Sequence, residues 1–235
     1  MKKLIKGILE FRSQLTPEYR EVFAKLALGQ SPDALLIACS DSRVVPNLFA
    51  SADPGDLFVL RNVGNLVPPC ACHGGEATNT ESEAAALDFA LQKLNVDDII
   101  ICGHSECGAV QALLQGRDTL GSHPLKSWLK HGDESQRLPS CDFVFDDKLS
   151  LFNKASQKNV LNQIANLKTY PLVRERIAAG KLFLHAWWFD IATADLYNFD
   201  ESQKRFVLFD DAQAKRIVER LAKADLEPPL LPSKK

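Results

Sequence analysis

The sequence predicts an α/β fold: a central, mainly parallel β-sheet flanked by helices. Three observations carry that prediction. Short continuous apolar runs at 34–38, 57–60 and 96–102 have the character of strands covered on both faces. Helical patterns alternate with these runs, as in a sheet wound with helices. The chain has 235 residues and shows neither an internal repeat nor a linker, so one domain over 1–235 accommodates it.

The elements follow in order. Leu4, Ile5, Ile8 and Phe11 recur at helical spacing, with Lys and Glu on the opposite side. Thr16 can cap a second helix, Pro17 suits its first turn, Tyr19, Val22, Phe23 and Leu26 make its stripe, and Gly29 stops it. Two helices ahead of any strand need a surface to pack on. Residues 1–30 are therefore read as a helical arm packing on the main domain or on a partner subunit. Thr80 and Glu83 form a capping box for a helix carrying Leu87, Leu91 and Leu94, and a helical pattern restarts at 108–114. Residues 115–158 are polar and weakly periodic, an expected surface excursion with short helical pieces. Helices around 160–167 and from Pro171 to Gly180, a strand over 182–189, a strand at 205–209 pairing beside it, and a helix near 212–222 complete the chain. The tail 228–235 is expected to be loose.

Composition narrows the function. Apolar residues make up 46% and charged residues 25%, ordinary for a globular protein. Lys and Arg number 28 against 30 Asp and Glu, giving −2, so no basic field exists to hold nucleic acid. No apolar stretch approaches a membrane span. Lys6, Glu10 and Arg12 interrupt the first apolar run, which reads as a helix and not a signal peptide. A cytoplasmic location is the expectation. The six cysteines (39, 70, 72, 102, 107, 141) would there serve as metal ligands or small buried apolar residues rather than disulfides.

Two segments carry chemistry, each at the carboxyl end of an expected buried strand: Cys39-Ser40-Asp41-Ser42-Arg43 and His104-Ser105-Glu106-Cys107-Gly108. In open parallel sheets the crevice beyond those ends is where ligands bind. Two thiolates and an imidazole suit zinc, and three protein ligands with an open fourth position is the catalytic arrangement. Taken singly, Cys39 reads as a core residue and Asp41 with Arg43 as a turn ion pair; their joint placement favours a metal site. Cys70-Ala71-Cys72-His73 is a second Cys/His cluster without a companion pair. Trp187 and Trp188 read as core or interface residues, and Cys102 as buried.

These segments resemble the β-class carbonic anhydrases, plant-like and bacterial. The resemblance extends through Asp53-Pro54-Gly55-Asp56, Arg61-Asn62-Val63-Gly64-Asn65 and residues 159–167. It implies a Zn²⁺ ion on Cys39, His104 and Cys107, an Asp41/Arg43 dyad, and reversible hydration of CO₂ to bicarbonate by zinc-bound hydroxide. In some members the aspartate becomes the fourth ligand, so Asp41 is a further candidate metal ligand. The resemblance also implies a substrate-binding role for Gln30, an aromatic pocket wall at Phe58 contributed across a dimer interface, and a homodimer or larger homo-oligomer. Two positions depart from the pattern: Phe89 replaces a tyrosine, and Leu36 replaces the tryptophan of the bicarbonate-inhibited members. The alternatives are a CS₂ or COS hydrolase on the same scaffold, or a non-catalytic zinc-dependent assembly module.

Overall fold

The computed structural model describes residues 1–73, 76–77, 82–121, 123–136 and 143–226. Its strands are β1 (Ala34–Cys39), β2 (Leu57–Asn62), the short β3 (Cys72–His73) and β4 (Glu76–Ala77), β5 (Asp98–His104), β6 (Phe183–Asp190), β7 (Asp195–Asp200) and β8 (Arg205–Leu208). Its helices are α1 (Lys2–Gln14), α2 (Pro17–Leu26), α3 (Pro46–Phe49), α4 (Ser82–Gln92), α5 (Gly108–Leu114), α6 (His123–Leu129), α7 (Leu151–Leu167), α8 (Pro171–Ala178) and α9 (Asp211–Leu226).

Six strands form one sheet in the order β2-β1-β5-β6-β7-β8, while β3 and β4 pair separately. The first four are parallel and the last two antiparallel, so the expected α/β class is observed. β1 and β5 are buried along nearly their whole length, because Leu35, Ile37, Ile99 and Ile101 face one apolar cluster and Leu36, Ala38 and Ile100 the other. The chain leaves β1 for β2 on one side and returns to β5 on the other. The gap between β1 and β5 is thus the topological switch point, where a crevice opens at the carboxyl ends.

Two expectations need correction. Residues 205–209 do not lie beside the strand at 183–190; β7 intervenes, its buried member being Asn198. Acids flank β7 and its inward residue is polar, so it lacks the apolar signature of a strand. α7 begins at Leu151 and not near 160, capped by Ser150, whose Oγ accepts from the Asn153 N–H at 3.2 Å. Its buried face is largely polar, which hides its period. Glu83 is buried and accepts from Asn62 Nδ2 at 3.0 Å; Thr80, its expected capping partner, lies outside the described residues, as does the tail 228–235.

α1 and α2 form as expected, with the Thr16 side chain accepting from the Tyr19 N–H. Neither helix has a buried residue. Leu4, Ile5, Ile8, Leu9 and Phe11 are all exposed by more than half, while Leu26 lies close against Gly55.

Candidate metal centre

β1 delivers Cys39 and β5 delivers His104 to the same edge of the sheet, since Ala38 and Cys102 are register partners. Cys107 follows three residues later as the N-cap of α5. The turn between them requires Glu106 at φ +53°, a left-handed conformation uncommon outside glycine. Two bonds hold it: Asn153 Oδ1 accepts from the Glu106 N–H at 2.8 Å, and Asn153 Nδ2 donates to Glu106 Oε1 at 3.1 Å. Gly64 also adopts a positive φ (+86°), which aims its N–H at Cys39 Sγ, 3.4 Å away. A side chain there would press on Ala109 as well.

The donor atoms of Cys39, His104 and Cys107 lie within 4.8 Å of one another, all three residues buried. Among the described residues this is the one such group. His104 Nδ1 contacts the Ser105 carbonyl at 2.8 Å; a carbonyl only accepts, so Nδ1 carries the proton and Nε2 the lone pair. Nε2 is buried without a hydrogen-bond partner. A buried imidazole lone pair between two thiols is costly unless a cation accepts it, and a zinc ion fits that need. The Cys107 thiol donates to Cys39 and holds the Cys39 thiol well below its ordinary value, while the same bond pushes Cys107 up. Backbone N–H groups of Ala109 and Val110 also favour a thiolate at Cys107.

Asp41 sits beside this cluster, its Oδ2 4.0 Å from His104 Nε2. It is turned towards Arg43. Nε donates to Oδ1 at 2.9 Å, Nη2 to Oδ2 at 2.8 Å, and the Arg43 N–H to Oδ1 at 3.0 Å. This fork holds the Asp41 carboxyl far below the usual carboxylate range. Arg43 Nη2 also donates to the Glu106 carbonyl at 3.2 Å, tying the two site segments together.

Arg61 was not singled out from the sequence. Its guanidinium donates to the Cys39 carbonyl at 2.8 and 3.0 Å and to the Asp41 carbonyl at 2.7 Å, bracing the strand end that carries both. No sequence signal marks it, because its place opposite Ala38 on the neighbouring strand is set only by the sheet register.

Gln30 and Phe58 are not brought to the cluster within one chain. Gln30 precedes β1 whereas Cys39 ends it, and Phe58 pairs in register with Leu35, near the start of β1. At about 3.3 Å per residue, β1 separates these positions from Cys39 by well over 10 Å. Gln30 lines a surface pocket with Phe23 and Gly55, and Phe58 packs on Phe89 with ring centres 5.7 Å apart.

The remaining candidates resolve into structure. Cys102 is fully buried, and its thiol is pushed up to about 12 by burial. Trp188 is core, and Trp187 packs edge-on against Phe209. Cys70 departs from expectation by forming a disulfide; the side chains of Cys72 and His73 lie outside those described.

Two thiols and an imidazole at the switch point of a parallel sheet, beside a clamped carboxylate, make an α/β protein with a donor set that could hold a metal ion and whose chemistry suits zinc. The family model described as carbonic anhydrase matches residues 34–196, which include every residue of the cluster and the Asp41/Arg43 pair. The chain is 39% identical over 198 residues to a carbonic anhydrase of Synechococcus elongatus, covering 83% of this chain and 70% of that one. It is 36% identical over 207 residues to a carbonic anhydrase of Pseudomonas aeruginosa, covering 88% and 91%. Its fold matches the solved structure of the β-carbonic anhydrase CcaA with a TM-score of 0.78 at 37% identity, covering 90% of this chain and 92% of that chain. The chain belongs to the β class of the carbonic anhydrase family.

Proposed function

We propose that this protein is a zinc-dependent carbonic anhydrase interconverting CO₂ and bicarbonate. The observation that carries the reading is the orphaned, buried His104 Nε2, grouped with Cys39 and Cys107 and 4.0 Å from a carboxylate that an arginine holds aside. Zinc on those three residues supplies a Lewis acid that makes water nucleophilic near neutral pH. The chain's own residues do the rest. Cys39, His104 and Cys107 hold the ion, Asp41 accepts a hydrogen bond and so orients the attacking oxygen, and Arg43 keeps Asp41 off the metal. Asp41 turned away from Arg43 would itself be a ligand.

Carbonic anhydrases of the same class from Sordaria macrospora are described as tetrameric, and one matches this fold with a TM-score of 0.63 at 30% identity, over 83% of this chain and 93% of its own. The exposed apolar faces of α1 and α2 support a homo-oligomer in which this arm covers a second copy. In that assembly Gln30 and Phe58 reach the substrate pocket of the neighbouring chain, since they lie far from their own. Among the described residues no helix is long and apolar enough to cross a membrane. The cytoplasm is the location we propose; the free thiols of Cys39, Cys102 and Cys107 support it and the disulfide at Cys70 stands against it.

Metal content and CO₂ hydration, measured together, test the reading. Cys39→Ala, His104→Ala and Cys107→Ala are each expected to abolish stoichiometric zinc and hydration, whereas Cys102→Ala keeps both. Full zinc in Cys39→Ala would overturn the assignment. Hydrolysis of CS₂ or COS without CO₂ hydration would favour the related hydrolase. Stoichiometric zinc without either reaction would favour an assembly module, although such a module has no use for the Asp41/Arg43 fork.

A further inference from the structure

Helix α7 presents a buried face made largely of polar side chains, including Ser156, Asn159, Asn162, Gln163 and Asn166. Three side chains at i, i+3 and i+6 spacing grip the backbone of the metal centre. Asn153 holds Glu106, the left-handed residue immediately before Cys107, by both its N–H and its carboxylate. Ser156 Oγ donates to the His104 carbonyl at 2.6 Å. Asn159 Nδ2 donates to the Gly64 carbonyl at 3.0 Å, and Gly64 in turn directs its N–H at Cys39 Sγ.

Each grip is itself braced. Trp188 Nε1 donates to Ser156 Oγ at 3.1 Å, leaving the hydroxyl proton for His104. Gln163 Nε2 donates to Asn159 Oδ1 at 2.9 Å, which fixes the Asn159 amide with its NH₂ towards Gly64. Gln163 Oε1 accepts from the Val67 N–H, and Asn166 Nδ2 donates to the Val67 carbonyl, so the loop after β2 is held at a second point. Gly103 allows the helix this close to β5: a Cβ there would overlap the Val160 side chain.

We propose that α7 is the positioning element of the metal centre, with Asn153, Ser156 and Asn159 setting from one rigid helix the three backbone segments that carry Cys107, His104 and the amide facing Cys39. The inference rests on the zinc reading above and goes beyond it. Cys39 and Gly64 lie on segments far in sequence from His104 and Cys107, and α7 gives Gly64 and the His104–Cys107 turn a common reference. A preformed set of donors binds its ion without the entropy cost of ordering it. The Gly64 N–H also draws charge from the Cys39 sulfur, so the grip on Gly64 tunes the ligand as well as placing it.

The test compares Asn153→Ala and Asn159→Ala with Asn162→Ala in the full chain. Asn162 is an equally buried amide on the same helix, and its Nδ2 has no hydrogen-bond partner; losing it empties similar space without touching the site. Zinc affinity is read by chelator competition, and the Cys39 environment by the thiolate-to-metal absorption of the Co²⁺-loaded protein. Asn153→Ala and Asn159→Ala are expected to weaken zinc roughly 10–100-fold and to shift the cobalt absorption, with Asn162→Ala like wild type in both. Equal affinity and spectra across all variants would overturn the proposal, as would an Asn162→Ala defect as large as that of Asn159→Ala. Should Asn159→Ala fail to fold, Asn153→Ala decides, because Asn153 is half-buried and outside the core. Cys39→Ala is run alongside. If it retains stoichiometric zinc, the zinc reading fails; if only the helix variants match wild type, the positioning role alone fails.

Discussion

Cutting Arg43 back to alanine removes two side-chain bonds from Asp41 and leaves only the backbone N–H of residue 43 as a partner. Asp41 Oδ2 is already 4.0 Å from His104 Nε2, so rotation about its own side-chain bonds suffices to bring it against the ligand cluster. A hydrogen bond to a charged group contributes about 1.5–3 kcal/mol when shielded, and an exposed ion pair about 0–1. The Arg43 side chain is 48% exposed, so solvent screening puts the fork at about 1–2 kcal/mol. That is roughly a 5–30-fold change in how Asp41 divides between its two positions. Hydration by Arg43→Ala is expected to fall by that factor with zinc retained, read by stopped-flow CO₂ hydration and metal analysis. Arg43→Lys keeps the charge but loses the fork and should fall between the two. The pH dependence has a definite sign. Asp41 is held low by Arg43, so its pairing is complete above the ordinary carboxylate range and is lost only as pH falls through the depressed value. From about pH 6.5 to 9 it stays charged, so the expected rise in activity across that window belongs to water activation at the metal, near pH 7, and not to Asp41. Wild-type rates in Arg43→Ala throughout the window would refute the gating role.

Three further outcomes are expected. Asp41→Asn should keep zinc but lose roughly 10–100-fold in hydration, because the amide lacks the charge that orients the attacking oxygen; unchanged rates would remove Asp41 from the chemistry. Deleting residues 1–28 should lower the oligomeric state or cause aggregation, read by light scattering on a sizing column; a soluble, fully active oligomer would refute the arm's role. Gly103→Ala should destabilise the fold by about 1–3 kcal/mol in urea titration, since the buried Val160 must move. Gly108→Ala, where a Cβ meets nothing within 4 Å, should stay within about 0.5 kcal/mol.

The sequence alone determined the buried parallel core and the donors. Continuous apolar runs such as Leu35-Leu36-Ile37 and Ile99-Ile100-Ile101 have no other stable place than a sheet covered on both faces, and their carboxyl ends mark a site whatever the connections. Cys39, His104 and Cys107 were legible for the same reason: residue type at a strand end is local information. The arm was legible as two amphipathic helices, since capping and periodicity are local too.

Only the tertiary structure decided what those local signals leave open. β7 and the first half of α7 turn polar residues inward; those of α7 are satisfied by hydrogen bonds to distant backbone and Asn198 of β7 by the carbonyl of the next residue, neither of which leaves an apolar pattern. Arg61 and Gly64 act through a backbone carbonyl and an N–H, which every residue possesses, so no side-chain motif announces them. Whether Asp41 faces the cluster or Arg43 is a contest between partners two residues and 63 residues away in sequence, settled by the geometry of the turn at Glu106. The reason is the same throughout: composition and period record what a residue is made of, whereas a hydrogen bond across the fold depends on where two segments meet.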